Sequence, residues 1–200
     1  FSWLMLSGAQ SSRSPDSATG RVSGNTLRAE AAFRVGRLWL GGGLIRDDAY
    51  RFGSPVILGT PAAVLSSVAA QGVLVSATGR LYKDVRVDVQ AISWDGSQYN
   101  RPQLHVRTEL ALISDWRRRF PRGEFSINAR VWHELRGGVP FFYGTAVGST
   151  APDVRITERA NVVTALLELR IQRATLFYQY RNLTGGGYEQ IRGITMPPAV

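Results

Sequence analysis

The sequence predicts an all-β chain, specifically an antiparallel transmembrane β-barrel fragment, and three observations carry that expectation. Apolar and polar residues alternate with a period of two through most of the chain. The alternating segments reach roughly ten residues, longer than the ~5–6 usual in soluble sheets and close to the ~9–11 that a tilted membrane-crossing strand needs. Short and long connections alternate between them, as short periplasmic turns and long extracellular loops do in transmembrane barrels.

The alternation is clearest segment by segment. Leu27, Ala29, Ala31, Phe33 and Val35 share one phase, with Arg28, Glu30 and Arg34 in the other. Val85, Val87 and Val89 alternate with Arg86, Asp88 and Gln90; Leu104, Val106, Thr108, Leu110 and Leu112 alternate with His105, Arg107 and Glu109. Phe125, Ile127, Ala129 and Val131 face away from Ser126, Asn128 and Arg130. Val163, Ala165, Leu167, Leu169 and Ile171 do the same against Thr164, Glu168 and Arg170, with Leu166 interrupting the polar phase. A helix cannot place charges at every second position over such lengths, so these segments are strands.

Nine strands are expected, near 1–8, 25–35, 38–47, 71–82, 85–95, 103–114, 124–135, 161–171 and 174–184. Gly36-Arg37, Lys83-Asp84 and Gln172-Arg173 read as tight hairpin turns, and 115–123 as a longer connection on the same side. The long connections are 9–24, 46–70, 96–102 and 136–160; within the second, Pro55 to Ala70 reads as a long loop with one helical turn. In a barrel the aliphatic phase would meet lipid, and the charged phase would line a polar lumen where opposite charges pair across strands. Trp3, Trp39, Tyr82, Trp116, Tyr178 and Tyr180 fall near strand ends, as interfacial girdles would, whereas Trp94 and Trp132 fall in the charged phase.

Composition narrows the chemistry. The net charge is +9, mostly arginine, but the arginines are spaced singly among apolar residues. Only Arg117-Arg118-Arg119 with Arg122 forms a cluster, which reads as a solvated turn, so no nucleic-acid partner is expected. Cysteine is absent, which removes disulfide frameworks and thiolate metal sites. No charged n-region precedes Phe1-Ser2-Trp3, and no apolar run suits a transmembrane helix. The two histidines, His105 and His133, read as structural or rim residues. No zinc spacing or phosphate-cradling loop is present, and Asp47-Asp48 reads as a solvated strand end. Small residues at Gly41-Gly42-Gly43 admit a bulky neighbour. An enzyme is therefore not expected, with no catalytic residues, no metal ligands and no cofactor. Ligand contact falls instead to loop aromatics: Phe141, Phe142 and Tyr143 at the centre of one long connection, with Tyr99, Arg101 and Tyr188 as further candidates.

The C-terminal segment adds a resemblance. Leu176-Phe177-Tyr178-Gln179-Tyr180-Arg181-Asn182-Leu183 continues through Gly185-Gly186-Gly187-Tyr188-Glu189 to Gly193 and Met196-Pro197. Asn182 can bond its own backbone and end a strand, and the glycines permit positive φ in the turn. Residues 174–197 resemble the end of TonB-dependent receptor barrels, where the penultimate strand closes on Asn-Leu and Gly and Pro introduce the last strand. That resemblance implies that residues 1–200 are the C-terminal portion of one barrel domain, with the plug domain and the final strand outside it. It implies a bacterial outer-membrane receptor for energy-coupled uptake of a scarce ligand such as a metal chelate, vitamin or carbohydrate. The implied partners are outer-membrane lipid, an extracellular small ligand and an inner-membrane energy-coupling protein reached through the plug. A plug-free passive porin and a soluble β-sandwich binding module are the alternatives.

Overall fold

Aliphatic residues at every second position make long strands, and the computed structural model describes them over residues 2–13, 22–48, 51–53, 64–66, 69–96, 101–145, 152–191 and 194–196. In chain order they are β1 (Ser2–Arg13), β2 (Val22–Val35), β3 (Leu38–Asp47), β4 (Arg51–Gly53), β5 (Val64–Ser66), β6 (Ala70–Tyr82), β7 (Val85–Trp94) and β8 (Leu104–Ser114). Then follow β9 (Phe125–Arg136), β10 (Pro140–Thr145), β11 (Pro152–Ile156), β12 (Ala160–Ile171), β13 (Ala174–Tyr180), β14 (Tyr188–Ile191) and β15 (Ile194–Met196). Nine of them form one antiparallel sheet in the order β1-β2-β3-β6-β7-β8-β9-β12-β13; the rest pair as three two-stranded hairpins, β4-β5, β10-β11 and β14-β15.

The nine strands of the large sheet fall on the nine segments expected from periodicity, within a few residues. The hairpins inside the long connections were not expected. Within Pro55 to Ala70, where a loop with one helical turn was expected, described residues 64–66 form a strand, and it pairs with 51–53. Left-handed residues open the three tight turns, Gly36 (φ 60°), Lys83 (φ 43°) and Gln172 (φ 54°), which suits the twist of paired strands. Among the described residues no helix is long and apolar enough to cross a membrane.

Register assigns the two faces consistently from strand to strand, apart from a shift between Arg80 and Tyr82. Trp39, Thr78, Asp88, Glu109 and Trp132 are successive cross-strand partners on one face. Val87, Leu110, Val131 and Ala165 are partners on the other. Burial runs against the usual amphipathic rule. The charged face is the enclosed one: Leu74, Trp94 and Ala111 lie there and are buried. The aliphatic face is open, with Leu27, Leu44, Val75 and Leu176 all more than half exposed.

The expected fragment of a transmembrane β-barrel is not supported, because these strands form no closed barrel. The sheet is open, with β1 and β13 as its edges. In an antiparallel meander of nine strands, the first and the ninth run in the same direction, so these two edges cannot join in an antiparallel ladder. Period-two alternation reports a strand and its two faces. Closure depends on a single pairing between distant strands that the alternation does not encode. The resemblance to TonB-dependent receptors, and the receptor or porin function drawn from it, are accordingly not supported. The outer-membrane location falls with them, as do the partners drawn from it: outer-membrane lipid, the extracellular small ligand and the energy-coupling protein. A sandwich is not formed either, since among the described residues the other sheets are only two-stranded hairpins.

Candidate anion-binding cleft

The meander places all four short connections, 36–37, 83–84, 115–124 and 172–173, at one end of the sheet. Just inside that end, on the charged face, lies a cleft of about 550 Å³ crossing β3, β6, β7, β8 and β9. Its charged lining is Arg37, Arg80, Arg86, Arg130, Asp88 and Glu109, with Trp39 beside them. Four guanidinium groups thus face two carboxylates.

Local backbone geometry explains how the arginines come together. The ladder between β6 and β7 shifts between Arg80 and Tyr82, a bulge that bends β6 at its end. Gly79 sits there at φ 145°, and a Cβ on it would fall 2.3 Å from the Arg37 carbonyl oxygen. Glycine is what lets the 36–37 turn approach so closely, and Arg80 N then donates to Arg37 O at 3.2 Å. On the other side of β6, Arg80 and Arg86 are direct cross-strand partners. Like charges directly opposite on a sheet destabilise it.

The carboxylates of the cleft do not relieve that pair. Glu109 Oε1 lies 3.4 Å from Arg130 Nη1, and Arg130 Nε donates to Asn128 Oδ1 at 2.9 Å. Asn128 Nδ2 in turn donates to Glu168 Oε2 at 3.2 Å, which fixes Arg130 in a chain across β8, β9 and β12. Asp88 Oδ1 accepts from Gln90 Nε2 at 3.3 Å. Among the described residues, Arg37, Arg80 and Arg86 have no ion pair or side-chain hydrogen bond, so their donors face open solvent.

The loop candidates singled out in the sequence fall elsewhere. Phe141 is half-buried on β10, opposite Arg155 in a hairpin at the long-connection end. Phe142 and Tyr143 also belong to β10, and Tyr188 opens β14, but their side chains lie outside the described residues, as does the whole of Tyr99. Arg101 is well placed and already engaged: its guanidinium pairs with Asp47 and stacks 3.8 Å from the centroid of the Trp94 ring. Among the described residues these candidates do not converge on one site. His105 pairs with Glu134 at 3.1 Å and His133 lies 2.8 Å from Asn161. Among the described residues no group of three or more acidic or histidine side chains could hold a metal.

Sequence reasoning missed the cleft because its arginines are distant in the chain and look singly placed. Regular pairing about the Lys83-Asp84 turn would set Leu81 against Arg86 and Arg80 against Val87; only the bulge in β6 brings Arg80 opposite Arg86, so register alone could not have found the cleft.

Fold and site together define an all-β chain built on one open meander sheet, with an arginine-rich cleft at its short-turn end. No family model matches the sequence, and no curated protein matches it.

Proposed function

We propose that this chain is a non-catalytic binding module whose cleft takes a multiply charged anion. The observation that carries the reading is the opposed pair Arg80–Arg86, joined by Arg37 and left without an ion-pair partner among the described residues. Guanidinium groups bind phosphate and carboxylate oxygens through paired, charge-assisted hydrogen bonds, and a bound anion would turn the Arg80–Arg86 repulsion into a bridged contact. Arg130, held by Glu109 and Asn128, supplies a pre-oriented fourth donor. Nothing in this arrangement requires a nucleophile or a general base.

Titration with inorganic pyrophosphate, read by calorimetry, tests the reading. Arg80→Gln/Arg86→Gln should bind at least about tenfold more weakly, since each charge-assisted hydrogen bond contributes on the order of 1.5–3 kcal/mol. Arg46→Gln, on the opposite end beside Asp48, should bind as the parent does. Equal affinity in the double variant and the parent would overturn the assignment.

A further inference from the structure

We propose that the whole short-turn end is a docking rim for a single-stranded nucleic acid, an inference that rests on the anion-binding reading of the cleft and names its ligand. The sequence spreads the relevant cations over four connections, half of them in the Arg118-Arg119 and Arg122 cluster, and the meander brings the four connections to one end. Arg37, Lys83, Arg118, Arg119, Arg122 and Arg173 are all exposed, and all belong to the four short connections at one end. Two of the acids there are engaged locally: Asp84 with Ser114 Oγ at 2.5 Å, and Asp115 with Arg117 at 2.5 Å.

Dimensions favour a polymer over a compact anion. Neighbouring strands lie ~4.8 Å apart, so turns at every second gap are roughly 9.6 Å apart and four of them extend over roughly 29 Å. Single-strand sites typically cover about 4–16 nucleotides, which matches a rim of that length.

Aromatic rings interleaved with the cations favour nucleic acid over an acidic peptide. Tyr82 is 63% exposed with the Lys83 ammonium 5.0 Å from its ring centroid. Trp116 is 48% exposed and stacks on Phe125 with centroids 5.1 Å apart, which backs one face of the indole. Its position is fixed by φ 41° and by Arg119 N and Phe120 N, which donate to Trp116 O at 2.8 and 3.0 Å. A supported ring beside a row of arginines offers a base a π-face and its phosphate a counter-charge. A carboxylate polymer uses only the second, and a duplex hides the faces that the first requires.

Anisotropy of a labelled oligothymidylate of roughly 12 nucleotides, a length inside the usual range for single-strand sites, measures the binding to the full chain. Binding should weaken with salt, and Arg118→Gln/Arg119→Gln/Arg122→Gln should weaken it at least tenfold. Trp116→Ala should weaken it about fivefold or more, Trp116→Phe should restore most of that, and neither should alter binding of an abasic oligomer of equal length. Oligothymidylate binding no tighter than the abasic oligomer, a duplex or polyglutamate would overturn the rim while leaving pyrophosphate binding in the cleft intact. Binding of oligothymidylate with the Trp116 response but without pyrophosphate binding would instead remove the cleft and keep the rim.

Discussion

Leu74 and Leu44 are the same residue on adjacent strands of one sheet, and truncating each to alanine measures which face carries the core. Leu74 lies on the charged face with 6% of its surface exposed, whereas Leu44 lies on the aliphatic face with 66% exposed. Deleting the buried side chain should cost about 2–3 kcal/mol, the lower part of the range for Leu→Ala, because Leu74 lines a cavity of about 230 Å³ that leaves room to relax. Full burial of a leucine stabilises by ~1.5–3 kcal/mol, and Leu44 realises only about a third of that, so Leu44→Ala should cost under ~1 kcal/mol. With a urea dependence of ~2 kcal/mol per molar, the two midpoints should differ by roughly 0.8–1 M. Tryptophan emission during urea unfolding provides the readout, since five tryptophans are present. A Leu44→Ala loss equal to or larger than that of Leu74→Ala would refute the assignment of the enclosed face.

Gly79→Ala should lower stability by about 1–3 kcal/mol, because φ 145° and the Arg37 carbonyl both exclude a Cβ; thermal melting should show the loss, and pyrophosphate affinity should fall with it as the 36–37 turn is displaced. Ser114→Ala should cost about 1–2 kcal/mol in the same assay, since the buried hydroxyl donates to Asp84 and accepts from Trp116 N at 3.4 Å; an unchanged melting point would show that water replaces both contacts. Arg101→Ala should red-shift part of the tryptophan emission by uncovering Trp94; no shift would mean that the stacked guanidinium does not shield the indole in solution.

Much of the local structure was legible because its causes are local. Alternation from Leu27 to Val35 or from Val163 to Ile171 fixes a strand and its faces, and a residue such as Gly36 before a second strand fixes a turn. Asn182 lies just beyond β13, which ends at Tyr180 and not near 184; it has φ 56° and donates from Nδ2 to Gly186 O at 2.8 Å, and only Gly185 among the described glycines that follow it adopts positive φ. Two features, sheet closure and the cleft, were not legible. Sheet closure is a property of one long-range pairing, so the barrel was inferred from strand length and loop rhythm that an open meander shares. The charged phase was expected to face an interior and the aliphatic phase outward, and the charged face, which holds Leu74 and Trp94, is indeed the enclosed one. The cleft requires Arg80 to oppose Arg86 and a bulge to draw in Arg37, neither of which is a motif in the chain.

Among the described residues the meander is a single layer, with no second sheet packed on it to tie distant strands together. Each strand of the large sheet makes its substantial contacts with its hydrogen-bonded neighbours, apart from brief touches with the small hairpins. Such a molecule behaves as a short one-dimensional chain of coupled units, so opening can begin at either border and travel inward one ladder at a time. Amide exchange should then be graded by position in the sheet, fastest on β1 and β13 and slowest on β7, with Val89 outlasting both Leu4 and Leu176. A cleft centred on β6 and β7 occupies the part of such a ladder that opens last.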